Sequence, residues 1–213
     1  MSPSARHLLL SNASTLAAGL LLHWNVGWLL WPYWMQSVII GWYARKRMLA
    51  LGKFSTKGFT SNGRPVPENV SGKRSTAIFF SIHYGFVHLG YLAFLIGMHA
   101  VESWRDIFVL FTCGVSFVLS QQQTYAAQHT ADLRGKPNLG TLMFTPYLRV
   151  VPMHIAIIVG SAATGTWMLF LFTGLKTASD LLLDMIDRKM AVASADRASA
   201  AVKNPSSPDA AKR

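Results

Sequence analysis

The sequence predicts an all-α fold: a polytopic transmembrane helix bundle of about six spans, with both termini on the inner side. Three observations predict it. About half of the 213 residues are apolar, and they are gathered into runs instead of being spread along the chain. One run, 76–98, reads TAIFFSIHYGFVHLGYLAFLIGM and holds no Lys, Arg, Asp or Glu. At 1.5 Å per residue it is long enough to cross a bilayer core. Of the 20 Lys and Arg, all but Arg105 and Lys176 fall on the side of the termini and the two long loops, which is the positive-inside pattern.

The bundle occupies 1–187. Its first span is 8–23; Arg6 precedes it as in a signal peptide, but no convincing cleavage site follows, Ala17-Ala18 being the best candidate. Asn25 and Gly27 supply a turn, and the second span, 27–44, ends at Arg45-Lys46-Arg47. Trp24, Trp28, Trp31, Tyr33 and Trp34 crowd its outer end as an aromatic belt. Residues 48–74 are rich in Gly, Pro and basic side chains and read as a flexible cytoplasmic loop that touches anionic headgroups. The third span, 76–98, is followed by a polar link at Glu102, Arg105 and Asp106, and then by the fourth span, 107–121. A polar segment, 122–145, leads to Thr145-Pro146, a hydroxyl and a proline placed as a helix start. The fifth span is 146–163 and the sixth 167–185; 188–213, rich in Ala, Ser, Lys, Asp and Pro, reads as a disordered cytoplasmic tail that can be helical at its start. Gly85, Gly90, Gly97 and Gly160 are expected to let helices approach closely.

The formal charge of +11 raises nucleic acid as a partner, but membrane-flanking clusters account for it, and the lipid bilayer is the partner the sequence implies. Cys113 stands alone, which excludes an internal disulfide and a cysteine-based metal cluster. HExxH, GxSG, a Gly-rich phosphate loop and CxxC are missing, which argues against a familiar enzyme.

Ionisable groups inside the spans are the candidate site, because their burial in a bilayer is costly. Counted from the inner ends of their spans, His83 and His154 fall at similar depth, about 11–12 Å. Two imidazoles on different helices are the minimum for bis-histidine haem ligation, part of a transition-metal site, or a proton relay. His88 is five residues from His83, about 140° around the helix, so the two do not chelate together. Lys176 and Asp180 are one turn apart and can pair, as a snorkelling lysine with a headgroup carboxylate or as a pair facing the bundle. In the second case Asp180 meets His83 or Arg149, and Gln36 is placed to hydrogen-bond a histidine. Gln121, Gln122 and Gln123 are expected to face headgroups. Three readings stay open: a histidine-centred haem or metal protein, a small-solute or proton-coupled carrier, and a structural or accessory subunit with a satisfied polar core.

The stretches Ile82-His83-Tyr84-Gly85-Phe86, Pro146-Tyr147-Leu148-Arg149-Val150-Val151-Pro152-Met153-His154 and Leu175-Lys176-Thr177-Ala178-Ser179-Asp180 resemble a bacterial multi-pass membrane family known only as a domain of unknown function. Tyr33-Trp34-Met35-Gln36-Ser37 is similar to its early motif, with Gln36 where the family carries glutamate. The resemblance implies a polytopic protein of a bacterial inner membrane in which His83, Arg149, His154 and Asp180 belong together. It implies no activity.

Overall fold

The computed structural model describes residues 13, 17, 26–98, 101–160 and 167–203, and these are mostly helical. Apart from residues 13 and 17, the predicted span 8–23 lies outside the described residues, as do 204–213 of the predicted tail.

Helix α1 (Val26–Ala50) is the axis of the fold. It packs along α2 (Val70–Gly97) and α3 (Trp104–Arg134), and also touches α4 (Leu139–Phe144), α5 (Tyr147–Gly160) and α6 (Trp167–Lys203). Leu30, Tyr33, Ser37 and Met48 of α1 are buried in this position. The close approach to α2 is made at Gly41: a Cβ there would lie 2.3 Å from Tyr84 Cε1. Gly85, Gly90 and Gly97 have open space where a Cβ would go, so the expected close approach at these three is not made; Gly160 has no described side-chain surroundings.

Helix boundaries follow caps that periodicity alone does not reveal. Asn69 accepts from the Gly72 N–H at 2.8 Å and starts α2 six residues before the apolar run. Ser103 and Asp106 form a capping box at the start of α3. That helix does not stop at 121 but continues through the polar segment to Arg134, because Gln, Thr and Ala tolerate a helix and the first breakers are Gly135 and Pro137. Asn138 then caps α4. Helix α6 runs past 185 to Lys203, so the helical start considered for the tail extends through 188–203.

The loop predicted to be flexible is built and packed. Its two-residue strands β1 (Thr60–Ser61) and β2 (Arg64–Pro65) pair antiparallel across Asn62-Gly63, both at positive φ, as a primed hairpin turn requires. Leu51, Phe54 and Val66 are buried. The loop also docks on the chain after α3. Ser55 N–H donates to Pro137 O and Leu139 N–H to Ser55 O, each at 2.8 Å; Asn138 Nδ2 donates to Lys57 O, and Lys136 pairs with Glu68 at 2.8 Å. The Lys136 hydrogen bond, with help from the Thr56 N–H, holds the Glu68 carboxyl below its ordinary range. At the opposite end, Trp28 Nε1 donates to Asp106 at 3.3 Å and ties α1 to the start of α3. The Ser103 hydroxyl beside it is the main cause of a lowered Asp106 carboxyl.

Two helices, α2 and α3, are long and apolar enough to cross a membrane. Both carry bare apolar stripes at helical spacing: Ile78, Ile82, Phe86 and Leu89 on α2, and Phe108, Phe111, Val115 and Val118 on α3.

Candidate functional site

The chemistry gathers where α5 begins, because this short segment touches three groups of residues at once. The first is an ion-pair centre. Asp180 on α6 is 3 % exposed, and its carboxylate meets Arg149 Nη1 of α5 at 3.1 Å and Lys176 Nζ, one turn back on α6, at 2.8 Å. Tyr33 of α1 closes the centre: its hydroxyl donates to Arg149 O at 2.6 Å, and its ring lies 5.7 Å from the Lys176 ammonium. The expected pairing of Lys176 with Asp180 is made, and of the two partners considered for a bundle-facing Asp180, Arg149 is the one it meets.

The second group is a pair of imidazole–phenol contacts. His83 Nδ1 and Tyr147 Oη are 2.8 Å apart, and so are His154 Nδ1 and Tyr91 Oη. Both link α2 to α5, and they do so in the same direction along the two helices. His154 therefore stands level with Tyr91, and His83 with Tyr147. Seven or eight residues separate the two levels, about 10–12 Å along the axis. The structure does not bring His83 and His154 together. The expectation of equal depth fails because α2 begins at Val70, while the α5 start is already level with the middle of α2. Among the described residues no group of three or more His, Cys, Asp or Glu could hold a metal ion.

His88 is separate again. It is 4 % exposed, donates Nδ1–H to Tyr84 O at 2.9 Å and stacks on the Tyr84 ring. That bond leaves Nε2 as the bare ring nitrogen, and no described group meets it. Its own carbonyl accepts from Trp34 Nε1 at 3.0 Å, so His88 is a joint between α1 and α2. Gln36 is half-buried on α1 and bonds no described histidine.

The third group is a pocket of about 700 Å³ between the hairpin, the start of α2 and the α4–α5 corner. Phe59, Val66, Phe79 and Phe144 give it apolar walls; Thr60, Asn62 and Ser75 give it polar edges, and the His83–Tyr147 pair lies on its lining. Its volume is in the range of small-molecule sites. The hairpin side of this pocket was missed at the level of sequence, although Asn62-Gly63 is a favoured pair for a two-residue hairpin turn. Gln121, expected to face headgroups, is half-buried and stands in a polar stripe with Tyr125, Gln128 and Asp132, which were missed; their helical spacing places all four on the inward face of α3. Asp132 ends the stripe in a two-bond ion pair with Arg47, at 2.5 and 2.8 Å.

No curated protein matches the chain, and no solved structure does. A family model matches residues 1–199, nearly its whole length, in agreement with the resemblance to an uncharacterised family. The chain thus belongs to DUF6498, a family of unknown function.

Proposed function

We propose that this chain is a multi-pass protein of a bacterial inner membrane, six spans with both termini inside, that binds a small amphipathic solute in the pocket beside His83 and Tyr147. The bare apolar stripes of α2 and α3 support the membrane reading, since a chain in water would bury them. The basic loop supports the orientation. In this frame the pocket opens at the inner headgroup level, where molecules with an apolar body and a polar head collect.

The observation that carries the solute reading is the pocket itself: about 700 Å³, aromatic walls, and an imidazole–phenol pair as its polar handle. The ligand is expected to place its head against His83 and Tyr147 and its body between Phe59, Phe79 and Phe144. The haem or metal reading needs His83 and His154 at one metal, and their separate tyrosine partners weigh against it. A proton path is the second reading, favoured by those same two pairs standing at successive levels between α2 and α5.

Mass spectrometry of the protein purified in mild detergent tests the proposal. Wild type is expected to retain an amphiphile through lipid exchange. Ser75→Trp, which fills the pocket from an exposed position, is expected to lose it. Equal retention in wild type and Ser75→Trp, or none in either, would sink the solute reading. An absorption spectrum with a Soret band that vanishes in both His83→Ala and His154→Ala would restore the haem reading instead.

A further inference from the structure

Three consecutive cations, Arg45, Lys46 and Arg47, stand near the inner end of α1, and the fold treats them differently. Arg47 turns to α3 and is held in its two-bond pair with Asp132. Arg45 and Lys46 meet no carboxylate among the described residues; aromatic faces hold them instead. The Arg45 guanidinium lies 5.9 Å from the centre of the Trp42 ring. The Lys46 ammonium lies 4.7 Å from the Tyr125 ring of α3 and 5.8 Å from the Tyr43 ring of α1. The two tyrosine rings touch at 5.5 Å, and His129 stacks on Tyr125 one turn further along α3. A ring face attracts a cation without neutralising it, so both cations keep their full charge and N–H donors to give to an anion.

We propose that Trp42, Arg45 and Lys46, backed by Tyr43 and Tyr125, bind the phosphate headgroup of an anionic phospholipid of the inner leaflet. The inference rests on the multi-pass reading above and is independent of the amphiphile pocket. Spacing supplies the first reason: 42, 45 and 46 stand at i, i+3 and i+4 and so share one face of α1. Depth supplies the second. Trp42 falls two residues before the predicted end of its span at 44, and Tyr125 four residues past the predicted end of its own at 121. In this frame both stand at the inner headgroup level, where aromatic side chains and cations collect. Chemistry supplies the third. A guanidinium fork and an ammonium side by side match one phosphodiester. The ring contacts already restrain both long side chains, which lowers the cost of ordering them on binding. Trp42 decides for a lipid over free phosphate: its indole is 64 % exposed and sets a broad apolar face beside the cations, suited to the glycerol and upper acyl region. A zwitterionic headgroup brings an ammonium of its own, which the two cations repel, so the patch selects an anionic one.

The test uses the full chain in phosphatidylcholine vesicles, with spin-labelled phosphatidylglycerol or spin-labelled phosphatidylcholine as the probe. Electron paramagnetic resonance reads how much of each label the protein immobilises. Wild type is expected to immobilise roughly one more phosphatidylglycerol than phosphatidylcholine per chain, the capacity of a single basic site. That excess is expected to be lost in the double variant Arg45→Gln, Lys46→Gln and kept in Lys53→Gln, Lys57→Gln, which removes two exposed cations of the loop. Trp42→Ala, at a largely exposed position, is expected to lose it too and decides should the first variant fail to fold. Equal immobilisation of the two labels by wild type, an excess that survives in the folded Arg45→Gln, Lys46→Gln chain, or one lost in the loop variant would each overturn the proposal. Loss of the excess on adding inorganic phosphate, but not chloride of equal ionic strength, would assign the cations to free phosphate and also overturn it. If neither label is immobilised, the chain is not embedded and the multi-pass reading itself falls; equal immobilisation of both sinks the headgroup site alone.

Discussion

Asp180 carries the most concentrated consequence of any single residue. It is 3 % exposed and holds two cations from two helices, while Arg149 and Lys176 each remain about a fifth exposed. Asp180→Ala leaves those cations without their carboxylate. It is expected to cost about 3 kcal/mol, the lower end for breaking a buried pair, because both cations keep contact with their surroundings. Thermal unfolding in detergent would check it; a change below about 0.5 kcal/mol would mean the centre is not closed as described. Gly41 offers a contrast with Gly85. An added Cβ at Gly41 strikes the Tyr84 ring, which is buried and held by its hydroxyl on Ser37 O. Gly41→Ala is expected to destabilise by about 1–3 kcal/mol. Gly85→Ala meets nothing within 4 Å and is expected to be neutral or slightly stabilising, through helix propensity. Both residues look alike in the sequence. Which one faces a neighbour depends on helix rotation, and the phase of a nearly uniform apolar run does not specify rotation.

At the scale of elements, the hairpin loop and the chain after α3 form one docked unit, held partly by Glu68. Its folded carboxyl lies lower than its unfolded one, so its contribution is complete above the unfolded value of about 4.3 and is lost as pH falls through the folded value. Hydrogen exchange at the Ser55–Lys57 and Asn138–Leu139 amides is therefore expected to speed up in Glu68→Gln at neutral pH, and this difference from wild type should shrink as pH falls through the lowered range of the folded carboxyl. A pH-independent difference would mean the charge plays no part. Composition predicted a flexible loop here because Gly, Pro and Lys were counted without their positions. Asn62-Gly63 specified the turn, and Ser55 and Asn138 specified the docking, but the second pairing joins residues more than eighty apart. Local reading reaches the hairpin and does not reach its partner.

For the whole molecule, the proposed topology of six spans with both ends inside makes a plain prediction. Reporter fusions at Gly63 and Lys136 are expected to read as cytoplasmic, and one at Glu102 as periplasmic; agreement of all three on one side would refute α2 and α3 as membrane spans. Helix α3, at 31 residues, is about 46 Å long and exceeds a 30 Å bilayer core. Its excess is the stretch carrying Gln121 to Asp132, which in this frame lies at and beyond the inner headgroups, beside the docked loop.

By itself, the sequence determined the helical class, the apolar segments, the charge asymmetry and the residue types able to do chemistry. It did so because these depend on composition and on spacing within a segment. Only the tertiary structure decided which ones meet. Asp180 joins Arg149 because α5 and α6 pack together, and His83 parts from His154 because α5 starts level with the middle of α2. The pocket exists because the hairpin folds back on one side of the α5 start. Relative depth and rotation of helices are set by contacts between distant parts of the chain, and no pattern within one segment contains them.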